Sequence, residues 1–358
     1  MKKYSHTQWV IFFLIALFLF ALPFFTEAQL GKTWVRILNF GLLYCMLALG
    51  LNIVVGYAGL LDLGYIAFFA VGAYLYALLC SPHFGLHLPL WIVLPLAGLL
   101  AAFFGLLLGS PTLKLKGDYL AIVTLGFGEI IRIFLNNLDA PINITNGPQG
   151  VNLIDPIKIG AWSLNQSVTL WGFKVSNLVQ YYYLFLAMTL FIIFVSIRLE
   201  HSRIGRAWVA IREDEIAAEA MGIHTRNMKL LAFAMGASFG GISGALFAGF
   251  QGFISPESFS LMESIMILSM IVLGGMGNIY GVVLGAILLT ILPEMLRYLG
   301  DLQQMLFHRI LVEPADLRML IFGLCLIVLM IFKPAGLLPK KMRRGDVQPH
   351  LNTSNPSH

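Results

Sequence analysis

Apolar runs long enough to cross a lipid bilayer recur from one end of the chain to the other, separated by short polar connections. A helix needs about 20 apolar residues to traverse the hydrocarbon core, and fewer where it is broken and packed against neighbours. By that rule the sequence holds about ten spans, at 9–25, 34–55, 64–80, 88–109, 119–136, 179–197, 230–253, 262–274, 278–298 and 317–333. Only 11% of the residues are charged, against about a quarter in soluble domains, so a soluble globule is excluded. The expected fold is an all-α polytopic integral membrane protein. Its membrane domain covers 1–339, and a basic, then polar, tail expected to be disordered covers 340–358. Cys45, Cys80 and Cys325 each sit inside an apolar run without paired spacing. They read as small buried hydrophobes rather than a disulfide frame or metal site.

Orientation follows from the basic residues in the short connections. Lys2 and Lys3 precede the first span, and Lys114 and Lys116 follow the fourth. Arg198, Arg203, Arg206, Arg212, Arg226 and Lys229 lie between the sixth and seventh, and Lys333, Lys340, Lys341, Arg343 and Arg344 follow the last. Counting from a cytoplasmic N-terminus puts all of these groups inside, with Lys32 and Arg36 as the exception. The formal charge of +5 is thereby explained by membrane orientation, without nucleic acid. The basic start of the first span also suits a signal peptide. No small-x-small cleavage site follows it, so a retained anchor is expected. The connection over 137–178 is then external; it holds "NITNGPQG" and "DPIKIGAW" and reads as a small cap, a docking surface or a plain ordered loop.

One stretch is densely charged, "RIGRAWVAIREDEIAAEAMGI", from Arg203 to Ile223. Ile204, Trp208, Ile211, Ala218 and Met221 recur at three- and four-residue steps, with Arg206, Arg212, Glu213, Asp214, Glu215 and Glu219 between them. That spacing predicts one amphipathic helix over about 202–222, capped by Ser202 and stopped by Gly222. A helix lying on anionic lipid would be basic throughout, whereas this one turns acidic from Glu213 onward. A protein partner on the cytoplasmic side accounts for the mixed charge better.

Four ordered motifs carry a resemblance: "GDYLAIVTLGFGEIIRI" at 117–133, "IGRAWVAIREDEIAAEAMGI" at 204–223, "GFISPESF" at 252–259 and "IVLGGMGNIYG" at 271–281. Together they resemble the M-type permease subunits of bacterial high-affinity branched-chain amino acid ABC importers, over about 39–339. The resemblance implies a multi-pass protein of the inner membrane that translocates Leu, Ile or Val. Its partners would be an H-type permease, two ABC ATPase subunits, a periplasmic amino-acid-binding protein and membrane lipid. It also implies that the segment Glu215–Gly222 belongs to a coupling element docking on the ATPase. The candidate coupling residues are Arg206, Trp208, Arg212, Glu213, Glu215, Ala218, Glu219 and Gly222. No G-x-x-x-x-G-K-[ST] phosphate loop is present, so no cofactor is expected on this chain and ATP would be hydrolysed elsewhere.

Gly56 and Gly59 in one half, and Gly274, Gly275 and Gly277 in the other, interrupt apolar runs at corresponding places. Broken helices inside a membrane often line substrate paths; close packing through small residues is the ordinary alternative. Asp62 sits beside the first break. Glu129 and Arg132, one turn apart in the fifth span, either face the path or pair with each other. Glu257 and Glu263 flank the external end of the eighth span, where a binding protein would dock. Related permeases for urea or short amides, and then sugar permeases, remain alternatives. A polytopic membrane enzyme would need a cluster of His, Asp or Glu at one membrane face, and the order of residues assembles none.

Overall fold

In a computed structural model, the structure describes residues 6–112, 115, 117–140, 143–159, 162–170, 173–307, 323, 324, 327, 328, 331–333 and 335–339. Its helices are α1 (His6–Gln29), α2 (Lys32–Asn52), α3 (Ile66–Leu79), α4 (Leu90–Thr112), α5 (Asp118–Asn136), α6 (Asn177–Glu200), α7 (Arg203–Glu213), α8 (Glu215–Ala220), α9 (Thr225–Gln251), α10 (Leu261–Gly274) and α11 (Ile279–Phe307). Lys2, Lys3, Lys114, Lys116, His308, Cys325, most of the span at 317–333 and the tail over 340–358 lie outside the described residues.

Among the described residues, six segments are long and apolar enough to cross a membrane: Lys32–Tyr57, Leu90–Thr112, Asn177–Glu200, Thr225–Gln251, Pro256–Gly274 and Ile279–Tyr298. The chain is therefore a polytopic membrane protein; the described residues hold six such segments against the ten expected, of which 317–333 lies mostly outside them. Leu17–Gln29 and α3 are apolar but shorter, and α5, which carries Asp118, Glu129 and Arg132, stands outside the six.

The short α3 has a physical reason. Its 14 residues reach about 21 Å at 1.5 Å per residue, well under the ~30 Å hydrocarbon thickness. The helix is preceded by non-helical chain over 58–65, which follows a π turn at Ile53–Tyr57 closing α2. Such backbone survives at membrane depth only where protein satisfies it. Here the Leu63 N–H donates to Thr124 Oγ1 of α5, the Gly64 N–H to Asp62 Oδ1, and the Ile66 N–H to Ser264 Oγ of α10. Tyr65 caps the arrangement by donating its hydroxyl to the Gly236 carbonyl of α9.

At the centre lies α9, packed between α2, α3 and α4. Its glycines let backbones meet: a Cβ on Gly72 of α3 would fall 2.0 Å from the Gly241 carbonyl oxygen. Helix association in lipid relies on such close approach, because no hydrophobic force separates helix from tail.

The described connections gather in two sets. At one end Arg212 reaches Gly56, Gly277 reaches Asn52, and Leu337 pairs with Leu273. At the other, Val151 pairs with Ile254, the Asp155 N–H donates to the Cys80 carbonyl, and His87 Nδ1 lies 2.5 Å from Asp155 Oδ2. Arg36, the exception to the charge rule, finds Gln251 at this second end.

Two expectations are corrected. The fold is not purely α: the 137–178 connection carries two antiparallel hairpins, Lys158–Ile159 with Trp162–Ser163, and Val168–Leu170 with Phe173–Val175. The strands hold Ile, Trp, Val, Thr and Phe, the β-branched and aromatic residues that strands favour. The amphipathic segment 202–222 is two helices, because Asp214 adopts an extended conformation (φ −154°, ψ 109°) between α7 and α8.

Candidate functional site

Each turn of the α7–α8 pair is fixed locally. Ser202 Oγ accepts from the Gly205 N–H at 3.1 Å and starts α7. Asp214 Oδ1 accepts from the Ile216 and Ala217 N–H groups at 2.9 and 3.0 Å, capping α8, a role for which Asp is well suited. Gly222, at φ +84°, supplies the left-handed residue just past the end.

The inner side anchors the pair to α9. Trp208 is fully buried and its indole donates to the Met228 carbonyl at 2.7 Å; Ile211 and Ala218 are buried beside it. Lys229, with a side chain only 6% exposed, holds Glu215 at 2.6 Å. Glu215 thus turns inward, to a partner 14 residues away, while Arg206, Glu213 and Glu219 stay exposed. Met221 departs from the expected buried face: it is 84% exposed, and Ile216, which the periodicity did not single out, is 76% exposed. The break at Asp214 rotates the second helix and brings this apolar pair to the surface.

The two glycine breaks, distant in sequence, meet in space. Arg212 Nη1 donates to the Gly56 carbonyl at 2.5 Å, and the Gly277 N–H donates to Asn52 Oδ1 at 2.9 Å. Gly59 (φ +70°) lies against the Arg212 stem. Asn52 was not singled out from the sequence, although a polar residue closing an apolar span is a visible signal. The second break has its own cover. The Leu337 and Leu338 N–H groups donate to the Leu273 and Gly274 carbonyls at 2.9 and 3.0 Å, and Asn278 Nδ2 donates to the Leu338 carbonyl. Gly336 (φ +85°) fits directly over Gly275 (φ +115°).

Asp62 is fully buried in the non-helical stretch. Its Oδ1 accepts from the Gly64 N–H, and its Oδ2 has no hydrogen-bond partner among the described residues. Glu129 and Arg132 stand apart from the glycines, paired with each other at 2.5 Å and with Arg132 also 3.2 Å from Glu257. Glu263 accepts from the Tyr44 hydroxyl.

Comparison with known proteins matches residues 33–330 to the family described as branched-chain amino acid transport system / permease component. The chain is similar to the high-affinity branched-chain amino acid transport system permease protein LivM of Escherichia coli, with 42% identity over 91% of this chain and 74% of the relative. The LivM of Salmonella typhimurium is 41% identical over the same shares. It also resembles the Escherichia coli permease protein LivH, at 25% identity over 70% of this chain and 80% of that protein. No solved structure matches it significantly.

Proposed function

The chain belongs to the family of branched-chain amino acid transport permease components, and from that premise we propose that it is the membrane subunit of an ATP-driven importer carrying leucine, isoleucine or valine inward across a bacterial inner membrane. A second, H-type permease completes the path, a reading supported by the similarity to both LivM and LivH. Two ATPase subunits bind the face that carries α7 and α8, and a soluble binding protein delivers the amino acid to the face with the hairpins.

The observation that carries this reading is the build of α7–α8. Its inner side is tied to α9 and α2 through Trp208, Glu215 and Arg212, and its outer side presents Ile216 and Met221 beside Glu213 and Glu219. Apolar anchors ringed by charge suit a protein contact better than a lipid surface. Nucleotide-driven motion of this pair would open and close the broken helices in alternating access.

Proteoliposomes holding the two permeases, the two ATPases and the binding protein should take up leucine only with ATP. The purified chain alone should hydrolyse no ATP above background, and robust hydrolysis by it would defeat the reading. Single cysteines at Arg203 and Lys341 should resist membrane-impermeant thiol reagents in intact cells while one at Asn146 reacts; labelling of position 203 from outside would overturn the orientation.

A further inference from the structure

We propose that Arg212 transmits motion from the α7–α8 pair to both glycine breaks, as a positioning residue and not as part of the surface that meets the ATPase; this rests on the importer reading above. Three independent features converge on its side chain. Its guanidinium donates to Gly56 O, a carbonyl in the π turn where α2 widens. Its aliphatic stem runs through space that a side chain at Gly59 would occupy, since a Cβ there would lie 2.7 Å from Arg212 Cγ. Gly277 of the second break closes the third side, where a Cβ would come within 3.4 Å of Nη1 and 3.2 Å of Gly56 O.

The two breaks are joined beneath it. Asn52, on the turn before Gly56, holds the Gly277 N–H, so displacing one break drags the other. The α7–α8 pair is meanwhile pinned to α9 at separate points, Trp208 to Met228 and Glu215 to Lys229. That gives a pivot on α9 and an arm at Arg212. The arm ends in one charge-assisted hydrogen bond to a neutral carbonyl, strong enough to pull and weak enough to release. Arg212 is itself exposed, as Glu213 and Glu219 are, and what sets it apart is the bond of its guanidinium to Gly56 O.

The test uses the complete complex in proteoliposomes, measuring ATPase co-purification, ATP hydrolysis and leucine uptake together. In Arg212→Met the ATPases should co-purify at the wild-type ratio and hydrolysis should persist. Leucine carried per ATP should fall about tenfold, as expected for one lost hydrogen bond to a charged group. Arg212→Lys, which keeps a donor, should recover much of the coupling. Gly59→Ala, which displaces the stem without touching the charge, should uncouple as Arg212→Met does. Wild-type leucine per ATP in Arg212→Met would overturn the proposal. Loss of the ATPases from that variant would instead make Arg212 a docking residue, and equal failure of the Lys and Met variants with loss of assembly would make it merely structural. A wild-type complex without ATP-driven uptake would overturn the importer reading itself.

Discussion

The two glycine breaks look alike in sequence, yet the molecule covers them by different means. The first, at Gly56 and Gly59, is closed by a side chain lent from α7. The second, at Gly274–Gly277, is closed by backbone from the segment over 335–339, which donates two N–H groups to the carbonyls left free where α10 ends. A single side chain can let go and return. A backbone strap seated on two hydrogen bonds and a glycine-to-glycine contact cannot do so without local unfolding. The first break is therefore held by a bond that can be released, while the second, joined to it through Asn52, is held by one that cannot.

Crowding should separate them most. At Gly274 an added Cβ falls 2.2 Å from the Gly281 carbonyl oxygen and 2.5 Å from its carbon, both backbone, so nothing there can yield. Gly274→Ala should lose most of the folded protein from the membrane, the severe end of overpacking. At Gly56 an added Cβ meets first the Asn52 side-chain oxygen, which can shift, and then one backbone atom, Gly277 N at 2.7 Å, so Gly56→Ala should keep more folded protein in the membrane than Gly274→Ala while transport suffers. Immunoblots of membrane fractions beside leucine uptake decide it; equal abundance of the two variants would erase the distinction.

The next effect runs through the anchor. Lys229→Met removes the ammonium that holds the partly buried Glu215, and breaking such a pair costs up to about 3 kcal/mol. Hydrogen exchange should then quicken at amides 56–60, whose cover depends on α7, and stay unchanged at 337–338. Adding Glu215→Leu should reverse much of the change, because an apolar pair of similar volume replaces the ions.

A smaller effect is expected at the strap. Gly336→Ala forces a residue at φ +85° against the Gly275 Cα at 2.4 Å and should unseat the two hydrogen bonds, for about 2 kcal/mol. Faster exchange of amides 337 and 338, with the first break unaltered, is the expected pattern. Least of all should come from Gly222→Ala, at φ +84° in open space, costing about 1 kcal/mol at the end of α8 and leaving both breaks as they are. Thermal unfolding of the purified chain measures it.

Much of this comparison was legible in the sequence, and the missing part has a common cause. Apolar runs mark the spans because lipid demands them, and Gly56, Gly59 and Gly274–Gly277 interrupt those runs visibly. Ser202 and Gly222 announce the ends of the amphipathic segment by local chemistry. Asp214 is harder to read, since an Asp flanked by Glu213 and Glu215 serves a helix surface or a cap, and only tertiary packing chooses. The pairing of Glu215 with Lys229, the bond from Gly277 to Asn52 and the seating of Leu338 on Gly274 join residues 14, 225 and 64 positions apart. Local periodicity carries no information about such partners. The same limit hides the internal bond of Glu215, whose carboxylate is held by Lys229.

α8 is the element proposed to meet the ATPase, and Ile216 and Met221 test that role directly because both side chains are exposed. Both are exposed, so Ile216→Asp with Met221→Asp should leave the fold and membrane abundance intact. Removing two apolar anchors from a modest interface costs about 2 kcal/mol or more. Co-purification of the ATPase subunits, measured beside leucine uptake in the same membranes, should fall to background for both. Wild-type recovery of the ATPases and wild-type uptake in the double variant would mean that α7–α8 is a membrane-surface element, and the coupling role would have to lie elsewhere.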